Sequence, residues 1–369
     1  MNRYNRFEKQ VRCYKIKVGM NFALLLKIFV IIFSALLLNT YPELSYGAAD
    51  SCDDQSNILL DKVKSEEAML QTLPLITDSS GRKIDVASPF KRIISLYGAH
   101  TENLFYLGLD KEIIGVAPKE SYPEQAKLKP WFSYHDGPEK FLAASPDLVL
   151  VRPMIERGYP SLIDRLEKSG ITVVSLQPAN VEEMLEYWKT LGLLTGRKEE
   201  SLTMVEEFKK RVNHYESLTA HLEDAQRQKV YFEAIHSKMK TFTPGSIALF
   251  ALKTAGGINV ADDAESSRGS NIGNYGKERI LSRASEIDVF LAQKGVMNHT
   301  SVEIIKNEPG FGIIKAVKNG QIYIVDEMTV SRPCFRLLQG IERIGEILYP
   351  EQFRQLPEKK ESTRGKNNE

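Results

Sequence analysis

Aromatic, histidine and arginine side chains follow several of the buried strands that the sequence predicts. Tyr97, Arg152, His236 and Arg332 are the clearest cases, because each lies at or just after a short apolar run. In open α/β sheets the carboxyl ends of the strands line the binding crevice, so these side chains are expected to converge there. Aromatic rings suit a flat or bulky ligand, and guanidinium groups suit an anionic one. The full predicted ligand-binding set is Tyr97, His100, Tyr122, Trp131, Arg152, His236, Phe242 and Arg332.

A purely structural role remains the alternative for each member of this set, and metal binding is a second alternative. The chain has six histidines, but no two of them form a closely spaced H-x-E-x-H cluster. His100, His135 and His236 could still converge on zinc or manganese. A single Tyr, His or Met could also be the axial ligand of a haem. We predict neither a resident metal nor a cofactor, because any metal is expected to arrive within the ligand.

Catalytic motifs are missing from the sequence. It contains no G-x-S-x-G, no H-E-x-x-H and no C-x-x-C, and Gly256-Gly257 lacks the G-x-G-x-x-G context of a dinucleotide site. There is no Walker motif either, so any ATP hydrolysis would belong to a partner protein. We therefore predict that the protein is not an enzyme, with a secreted hydrolase as the least favoured alternative.

Short apolar runs alternate with helical patterns along most of the chain, which is typical of βαβ units in a mostly parallel sheet. The predicted strands are 92–97, 112–117, 147–151, 171–176, 230–235, 289–293 and 321–325. The predicted helices between and after them are 100–107, 139–144, 161–168, 247–253 and 335–348.

One longer helix separates the two groups of strands. The segment Lys198–Leu222 has neither Gly nor Pro, and its apolar residues recur at three- and four-residue steps. A helix of roughly 25 residues would be about 37 Å long at 1.5 Å per residue. The fold class predicted here is α/β, with two Rossmann-like lobes of mostly parallel sheet joined by a single long α-helix and a ligand cleft between the lobes.

The N-terminal segment indicates export. Residues 1–49 hold seven Lys or Arg and two acidic residues, which leaves 42 basic and 46 acidic side chains in the remainder, a net charge of −4. A mildly acidic body argues against nucleic-acid binding. The apolar run Ile28–Leu38 is about 11 residues, shorter than the roughly 20 that a spanning helix needs, so it fits a signal peptide cleaved after Ala49 or close by. An uncleaved anchor is the alternative, and Met20 could be the true start.

The cysteines leave more than one possibility open. Cys13 lies in the leader, and Cys52 lies just after the predicted cleavage site, where it could carry a lipid although Ala49-Asp50-Ser51 is a poor lipobox. A Cys52–Cys334 disulfide is chemically allowed outside the cytoplasm, and two unpaired thiols are the alternative.

Several short motifs, taken in order and spacing, resemble the periplasmic binding proteins for iron–siderophore, haem and cobalamin uptake. The resemblance covers the chain from about Thr77 to Phe353. The matching motifs are Thr77-Asp78-x-x-Gly81-Arg82-x-Ile84, which resembles the opening hairpin of the family, Pro89–Leu96 with Thr101-Glu102, Leu107-Gly108-Leu109, Ile114-Gly115-Val116, Tyr122-Pro123, Ser145–Val149, Ser169-Gly170-Ile171-x-Val173, Ala255-Gly256-Gly257-x-Asn259-Val260-Ala261 and Ser331-Arg332-Pro333.

This resemblance implies a function and two docking residues. The expected function is to capture an iron chelate outside the cytoplasm and deliver it to the permease and ATPase of an ABC importer. A ferric siderophore is the favoured cargo, and haem or cobalamin is possible. The family pattern also implies that one glutamate on each lobe docks onto arginines of the permease. Glu139 and Glu278 fit that role, because each opens a short predicted helix that leads into a buried strand; a helix-favouring acidic residue is the alternative.

One alternative function remains, because a ligand-sensing protein that signals to a membrane receptor would have the same fold. Contact with the membrane is expected only through the permease or through an uncleaved or lipidated N-terminus. The predicted segments are 1–49 signal peptide, 50–76 extension, 77–197 N-terminal lobe, 198–222 bridging helix, 223–356 C-terminal lobe and 357–369 disordered tail.

Overall fold

The first lobe is built on a four-stranded sheet whose strands are all parallel. The computed structural model describes residues 75–266 and 270–354. The sheet has the order β4-β3-β5-β6, and each neighbouring pair is parallel. Strand β5 is buried along its whole length, which explains its unbroken apolar sequence. The strands of this sheet are β3 (Ile93–Ser95), β4 (Ile113–Val116), β5 (Leu148–Val151) and β6 (Thr172–Ser175).

An antiparallel hairpin of β1 (Leu75–Thr77) and β2 (Lys83–Asp85) precedes this sheet and confirms the predicted opening hairpin. Asp78, in its turn, accepts hydrogen bonds from the backbone N–H groups of Ser80, Arg82 and Ser175. The last of these bonds ties the hairpin to the end of β6. The helices of the first lobe are α1 (Gly98–Tyr106), α2 (Pro138–Ala144), α3 (Pro153–Gly158) and α4 (Pro160–Lys168).

Two helices, not one, connect the first sheet to the second. The predicted long helix is present as α6 (Lys198–Thr219), but α5 (Val181–Thr195) precedes it and packs along it. The prediction of a bridge made of a single helix is therefore not confirmed. Helix α6 ends three residues earlier than predicted, because the Arg227 guanidinium donates to the carbonyl oxygen of Thr219 at 3.1 Å and closes the last turn.

The second lobe has a mixed sheet with the order β10-β11-β8-β7-β12-β13, and β9 pairs beside β7. Strands β7, β9, β12 and β13 are mutually parallel where they pair, whereas β8, β10 and β11 extend the sheet in antiparallel pairs. The antiparallel part was not predicted. The strands are β7 (Lys229–Ile235), β8 (Lys240–Phe242), β9 (Ile258–Asn259), β10 (Glu265–Ser266), β11 (Ile272–Asn274), β12 (Val289–Lys294) and β13 (Ile322–Asp326).

Helices cover both faces of this second sheet. They are α7 (Ile247–Thr254), α8 (Lys277–Ser282), α9 (Val302–Lys306), α10 (Lys315–Lys318), α11 (Glu327–Val330), α12 (Leu337–Leu348) and α13 (Pro350–Phe353).

One apolar core runs through both lobes and the two connecting helices. The Trp188 ring of α5 packs against Phe208 of α6 at 5.2 Å, and Phe208 faces Phe250 and Phe335 of the second lobe at 6.5 and 6.4 Å. Because interiors are close-packed, this shared core opposes independent movement of the lobes.

Several sequence predictions lie outside the described residues: the signal peptide, most of the extension predicted at 50–76, the state of Cys13 and Cys52, and the disordered tail. Cys334 is a buried free thiol, and burial raises its pKa. Across residues 75–266 and 270–354, no helix combines the length and the apolar character needed to cross a membrane.

Candidate functional site

Tyr97 and Arg152 meet at the carboxyl edge of the first sheet. Tyr97 is the residue before α1 and follows β3, whereas Arg152 is the residue before α3 and follows β5 directly. Because β3 and β5 are parallel neighbours, their ends place the two side chains together. The Arg152 guanidinium carbon lies 4.8 Å from the centre of the Tyr97 ring, in a cation–π contact. Burial raises the pKa of Tyr97, although Arg152 and Arg332 oppose that shift, so the phenol stays neutral at pH 7.

Arg332 joins this pair from the second lobe. It is packed so closely on Gly98 that any side chain at position 98 would collide with it and with Glu120. A side chain at position 98 would therefore displace both charged groups, and glycine allows them to approach the backbone. The Arg332 Nη1 lies 3.6 Å from an oxygen of Glu120, whose pKa burial raises and Arg332 lowers.

A second charged pair crosses between the lobes beside the first. The Arg336 guanidinium donates to the Glu102 carboxylate at 2.5 Å, and it lies 3.9 Å from the centre of the Tyr122 ring. Pro333 reinforces the crossing, because its carbonyl oxygen accepts hydrogen bonds from Asn103 at 2.9 Å and from Trp188 at 3.2 Å. The segment 331–336 of the second lobe is thus anchored on the first lobe by charged and neutral hydrogen bonds together.

His100 packs behind Tyr97, with the two rings edge-on and their centres 5.2 Å apart, and its predicted role as a direct ligand contact stays a prediction. Its side chain is buried, and both ring nitrogens are used. Nε2–H donates to the carbonyl oxygen of Val151 at 3.0 Å, and Nδ1 accepts from the hydroxyl of Tyr187 at 2.7 Å. Burial lowers the pKa of His100 to about 4, so the ring is neutral at pH 7.

His236 also contacts other residues of the protein, and these contacts hold its ring within the second lobe. It is buried, and its Nδ1–H donates to Glu233 at 2.7 Å while Nε2 lies 3.4 Å from Glu308. The hydrogen bond to Glu233 raises the pKa of His236, with burial opposing it. The role of His236 as a ligand contact stays a prediction, and its observed contacts are with the protein itself.

The other two predicted aromatic residues differ from each other. Phe242 is buried in the core against Phe232, with ring centres 4.8 Å apart, and its role as a ligand contact stays a prediction. Trp131 is 58% exposed and bridges to Val116 at the end of β4, next to the loop that carries Glu120 and Tyr122. The structure thus brings together Tyr97, Arg152 and Arg332, with Tyr122 in the neighbouring charged pair.

Glu139 and Glu278 are both exposed and both lie in the first turn of a short helix. Each helix leads into a parallel strand, β5 or β12, and runs back toward that strand's amino end. Glu139 has Arg165 at 3.5 Å, and the side chains of this pair are 71% and 64% exposed. Lys277, the neighbour of Glu278, forms an ion pair with Glu308. The predicted permease-docking role of both glutamates stays a prediction.

A surface cavity of about 390 Å³ lies beside Glu139 in the first lobe. Tyr134, His135 and Tyr159 line it as one aromatic cluster with ring centres 4.5–5.1 Å apart. The Tyr159 hydroxyl and His135 Nδ1 are 3.0 Å apart, and Arg165 lies at the cavity edge. Tyr134 and His135 therefore pack on the lobe's own surface.

The three histidines considered for a metal do not converge, because His100 contacts Tyr187, His135 contacts Tyr159 and His236 contacts Glu233. Within the described ranges, no group of three His, Cys, Asp or Glu side chains could hold a metal ion.

Sequence reasoning missed Glu102, Glu120 and Arg336, which complete the charged contacts between the lobes. Glu120 follows β4, so the same strand-end argument that selected Tyr122 would have selected it. Glu102 lies in helix α1 and is buried, and its partner Arg336 is 234 positions away. Only the tertiary structure reveals that pair.

Comparisons with known proteins agree with this architecture. The profile of the periplasmic binding protein family, described as "Periplasmic binding protein", matches residues 93–329. An uncharacterized ABC transporter substrate-binding lipoprotein of Bacillus subtilis is 23% identical over 284 residues, which cover 76% of this chain and 87% of that protein. A vitamin B12-binding protein of Vibrio vulnificus is 23% identical over 263 residues, covering 70% of this chain and 90% of its own.

A solved structure shares the fold as well. The crystal structure of a possible iron-binding (periplasmic solute-binding) protein of Staphylococcus epidermidis superimposes with a TM-score of 0.62 at 28% identity. The match covers 71% of this chain and 100% of that one. The relatives compared here are named as binding proteins and not as enzymes.

Proposed function

Because this chain belongs to the periplasmic binding protein family, we propose that it captures an iron chelate outside the cytoplasm and delivers it to the permease of an ABC importer. A ferric siderophore is the cargo that we favour. The protein itself catalyses no reaction and needs no resident cofactor, since the metal arrives inside its cargo. The ATPase that drives uptake is a separate component of the importer.

The observation that carries this proposal is the meeting of Tyr97 and Arg152 of the first lobe with Arg332 of the second. Ligands bind at the carboxyl edge of open α/β sheets, and these three side chains occupy that edge. No carboxylate is paired with Arg152 among the described residues, so its guanidinium can bind an anionic group of the cargo. The Tyr97 ring offers a flat apolar surface for the body of the chelate.

The cargo is identified by what the protein retains and binds. Protein purified from its native compartment is examined by absorbance and mass spectrometry, and the stripped protein is titrated with a ferric catecholate, a ferric hydroxamate, haem and cyanocobalamin. We expect the ferric catecholate or hydroxamate to bind with the highest affinity, and Arg152→Ala to weaken that binding at least tenfold, as the loss of one charged hydrogen bond predicts. Preferential binding of cyanocobalamin or haem would replace the favoured cargo. Failure of all four to bind would contradict the proposed function.

Glu139 and Glu278 are the residues through which we propose that the two lobes dock on the permease. Both carboxylates are exposed, and Glu139 is paired only with an exposed arginine, which is a weak interaction that a permease arginine can replace. The double variant Glu139→Arg/Glu278→Arg is expected to abolish uptake while the chelate affinity is unchanged. The matched control Glu216→Arg reverses an exposed charge on α6 and should transport normally. Normal uptake by the double variant would end this assignment.

A further inference from the structure

Four side chains form a charged cluster in the second lobe that the cargo site does not use. His236 lies between two carboxylates: Glu233 on its own strand β7, and Glu308 in the loop after α9. The other oxygen of Glu308 pairs with Lys277, the first residue of α8. The cluster therefore links the carboxyl end of β7 to the helix that carries Glu278.

Glu233, the inner carboxylate of this cluster, is fully buried, and neutral side chains hold both Glu233 and His236 in place. Asn298 accepts from the backbone N–H of His236 at 2.9 Å, and its amide donates to Glu233 at 3.4 Å and to the carbonyl oxygen of Gln293 at 2.8 Å. Gln293 in turn accepts from the hydroxyl of Ser331 at 2.5 Å. The Glu233 carboxylate is thus fixed in place, and it fixes the orientation of the His236 ring.

The first turn of helix α8 is held by more than one contact: Arg279 pairs with Asp263 and also donates to its carbonyl oxygen at 3.1 Å, and Ile280 is fully buried. The helix is only six residues long, and no side chain caps its N-terminus. Gly276, which precedes it, has a positive φ of 89°, a conformation that glycine adopts without strain. Lys277, the residue next to Glu278, adds the contacts that lead to the His236 cluster: it pairs with Glu308 and donates to the carbonyl oxygen of Pro309 at 3.0 Å.

We propose that His236 is a positioning residue for docking: through Glu308 and Lys277 it holds the first turn of α8, and therefore Glu278, against the carboxyl edge of the second sheet. This inference rests on the proposed docking role of Glu278. It assigns a function to a buried histidine whose observed contacts are with the protein itself.

The charged groups around His236 make this linkage depend on pH. The groups facing His236 are Glu233 and Glu308, with Lys277 behind Glu308, and both carboxylates favour the protonated ring. A cationic His236 and Lys277 then share Glu308 as a bridging carboxylate. As the pH rises through the raised pKa of His236, the ring becomes neutral and the bridge loses one of its two cations. Helix α8 is therefore held more firmly at low pH.

The first test measures amide hydrogen exchange of residues 280–284 in the wild type, His236→Gln and the matched control His299→Gln, which alters an exposed histidine. After correction for intrinsic rates, the wild type should exchange more slowly at about pH 6 than at about pH 8, because the bridge is complete only when His236 is protonated. His236→Gln should exchange about threefold faster at the lower pH and show no pH dependence of its own, because the ion pair between the His236 ring and Glu308 is lost. Exchange of α2 in the first lobe should be the same in all three proteins. Equal pH profiles in the wild type and His236→Gln would overturn the proposal.

The second test separates this inference from the docking proposal itself. Binding of the same proteins and of Glu278→Arg to the cognate permease–ATPase complex in nanodiscs is measured without cargo. We expect Glu278→Arg and His236→Gln both to weaken binding, and His299→Gln to leave it unchanged. If Glu278→Arg weakens binding and His236→Gln does not, the positioning role is wrong and docking through Glu278 stands. If Glu278→Arg has no effect, the docking assignment itself is wrong.

Discussion

His100 and His236 occupy equivalent places in the two lobes but have opposite electrostatic environments. Each follows the first parallel strand of its sheet, β3 or β7, within five residues. His100 is enclosed by a tyrosine hydroxyl and a backbone carbonyl, which leave the ring neutral. His236 is enclosed by two carboxylates, which favour the charged ring. The position in the fold thus sets the burial of the ring, whereas its neighbours set its charge.

The same contrast extends to the helices that carry the predicted docking residues. In the first lobe, α2 packs through Phe141 into a core that Tyr134 and Tyr159 also contact, and Glu139 pairs with an exposed arginine. In the second lobe, the half-buried pair of Lys277 and Glu308 anchors α8. We infer that buried or half-buried charge contributes more to holding α8 in the second lobe than to holding α2 in the first.

Replacement of His100 should have the largest effect on stability. His100→Ala leaves the Val151 carbonyl and the Tyr187 hydroxyl without their partner and opens a cavity in the first lobe. We expect the free energy of unfolding at neutral pH to fall by about 3 kcal/mol, measured by urea denaturation. The control His214→Ala removes an exposed ring on α6 and should change it by less than about 0.5 kcal/mol. Equal effects of the two substitutions would contradict the structural role of His100.

The pH dependence of stability should show opposite signs for the two histidines. For His100 the folded pKa of about 4 lies below the ordinary value of 6.5, so the unfolded chain binds the proton more readily. Its contribution to stability is therefore lost as the pH falls below 6.5 toward 4. Relative to His100→Asn, the wild type should lose about 2 kcal/mol between about pH 8 and pH 5.

For His236 the sign is reversed. Its folded pKa is raised above 6.5, so its contribution is fully present below that pH and is lost as the pH rises through the folded pKa. The advantage of the wild type over His236→Gln should therefore be larger at about pH 5 than at about pH 8. Urea denaturation of both pairs at the two pH values checks this prediction. Slopes of the same sign for the two histidines would remove the contrast between the lobes.

Breaking the charged anchor of α8 should have a smaller effect. Glu308→Gln removes the negative charge that Lys277 and His236 share, but the Glu308 side chain is about one-fifth exposed, so solvent reduces the loss. We expect the free energy of unfolding to fall by about 1 kcal/mol at about pH 6. The control Glu303→Gln changes an exposed glutamate in the preceding helix and should cost less. An unchanged stability would show that Lys277 and His236 do not depend on this carboxylate.

Much of the fold could be predicted from the sequence, because its parallel strands are buried on both faces and appear as unbroken apolar runs such as Leu148–Val151. Helix α5 was missed although its signals were present. Asn180 accepts from the N–H of Glu183, Glu183 accepts from the N–H of Ala179, and Gly196 ends the helix at a φ of 69°. Asn180 is thus the N-cap of α5 and Gly196 its C-cap, and these two residue types predict a helix that begins and ends there.

The candidate site could be predicted less well than the fold. A position at the end of a strand indicates where a residue lies in the fold, but not which residues its side chain contacts. The rule selected Tyr97, Arg152 and Arg332 correctly as neighbours, but it also selected His100 and His236, whose rings turn into the protein. Their partners Tyr187 and Glu308 are 87 and 72 positions away in sequence, and local patterns carry no information on such contacts. Charge and hydrogen bonding at the two histidines could be assigned only from the tertiary structure.

The smallest effect is expected at the exposed pair beside Glu139. Arg165→Ala removes a partner at 3.5 Å whose side chain is mostly exposed, and exposed ion pairs contribute little to stability. We expect the free energy of unfolding to change by less than about 0.5 kcal/mol, in contrast to Glu308→Gln in the second lobe. Because Arg165 would compete with a permease arginine for Glu139, the same substitution should leave docking unchanged or strengthen it. Denaturation and nanodisc binding of Arg165→Ala measure the two effects; a loss of stability as large as that of Glu308→Gln would mean that charge anchors both docking helices, and the distinction between the lobes would fail.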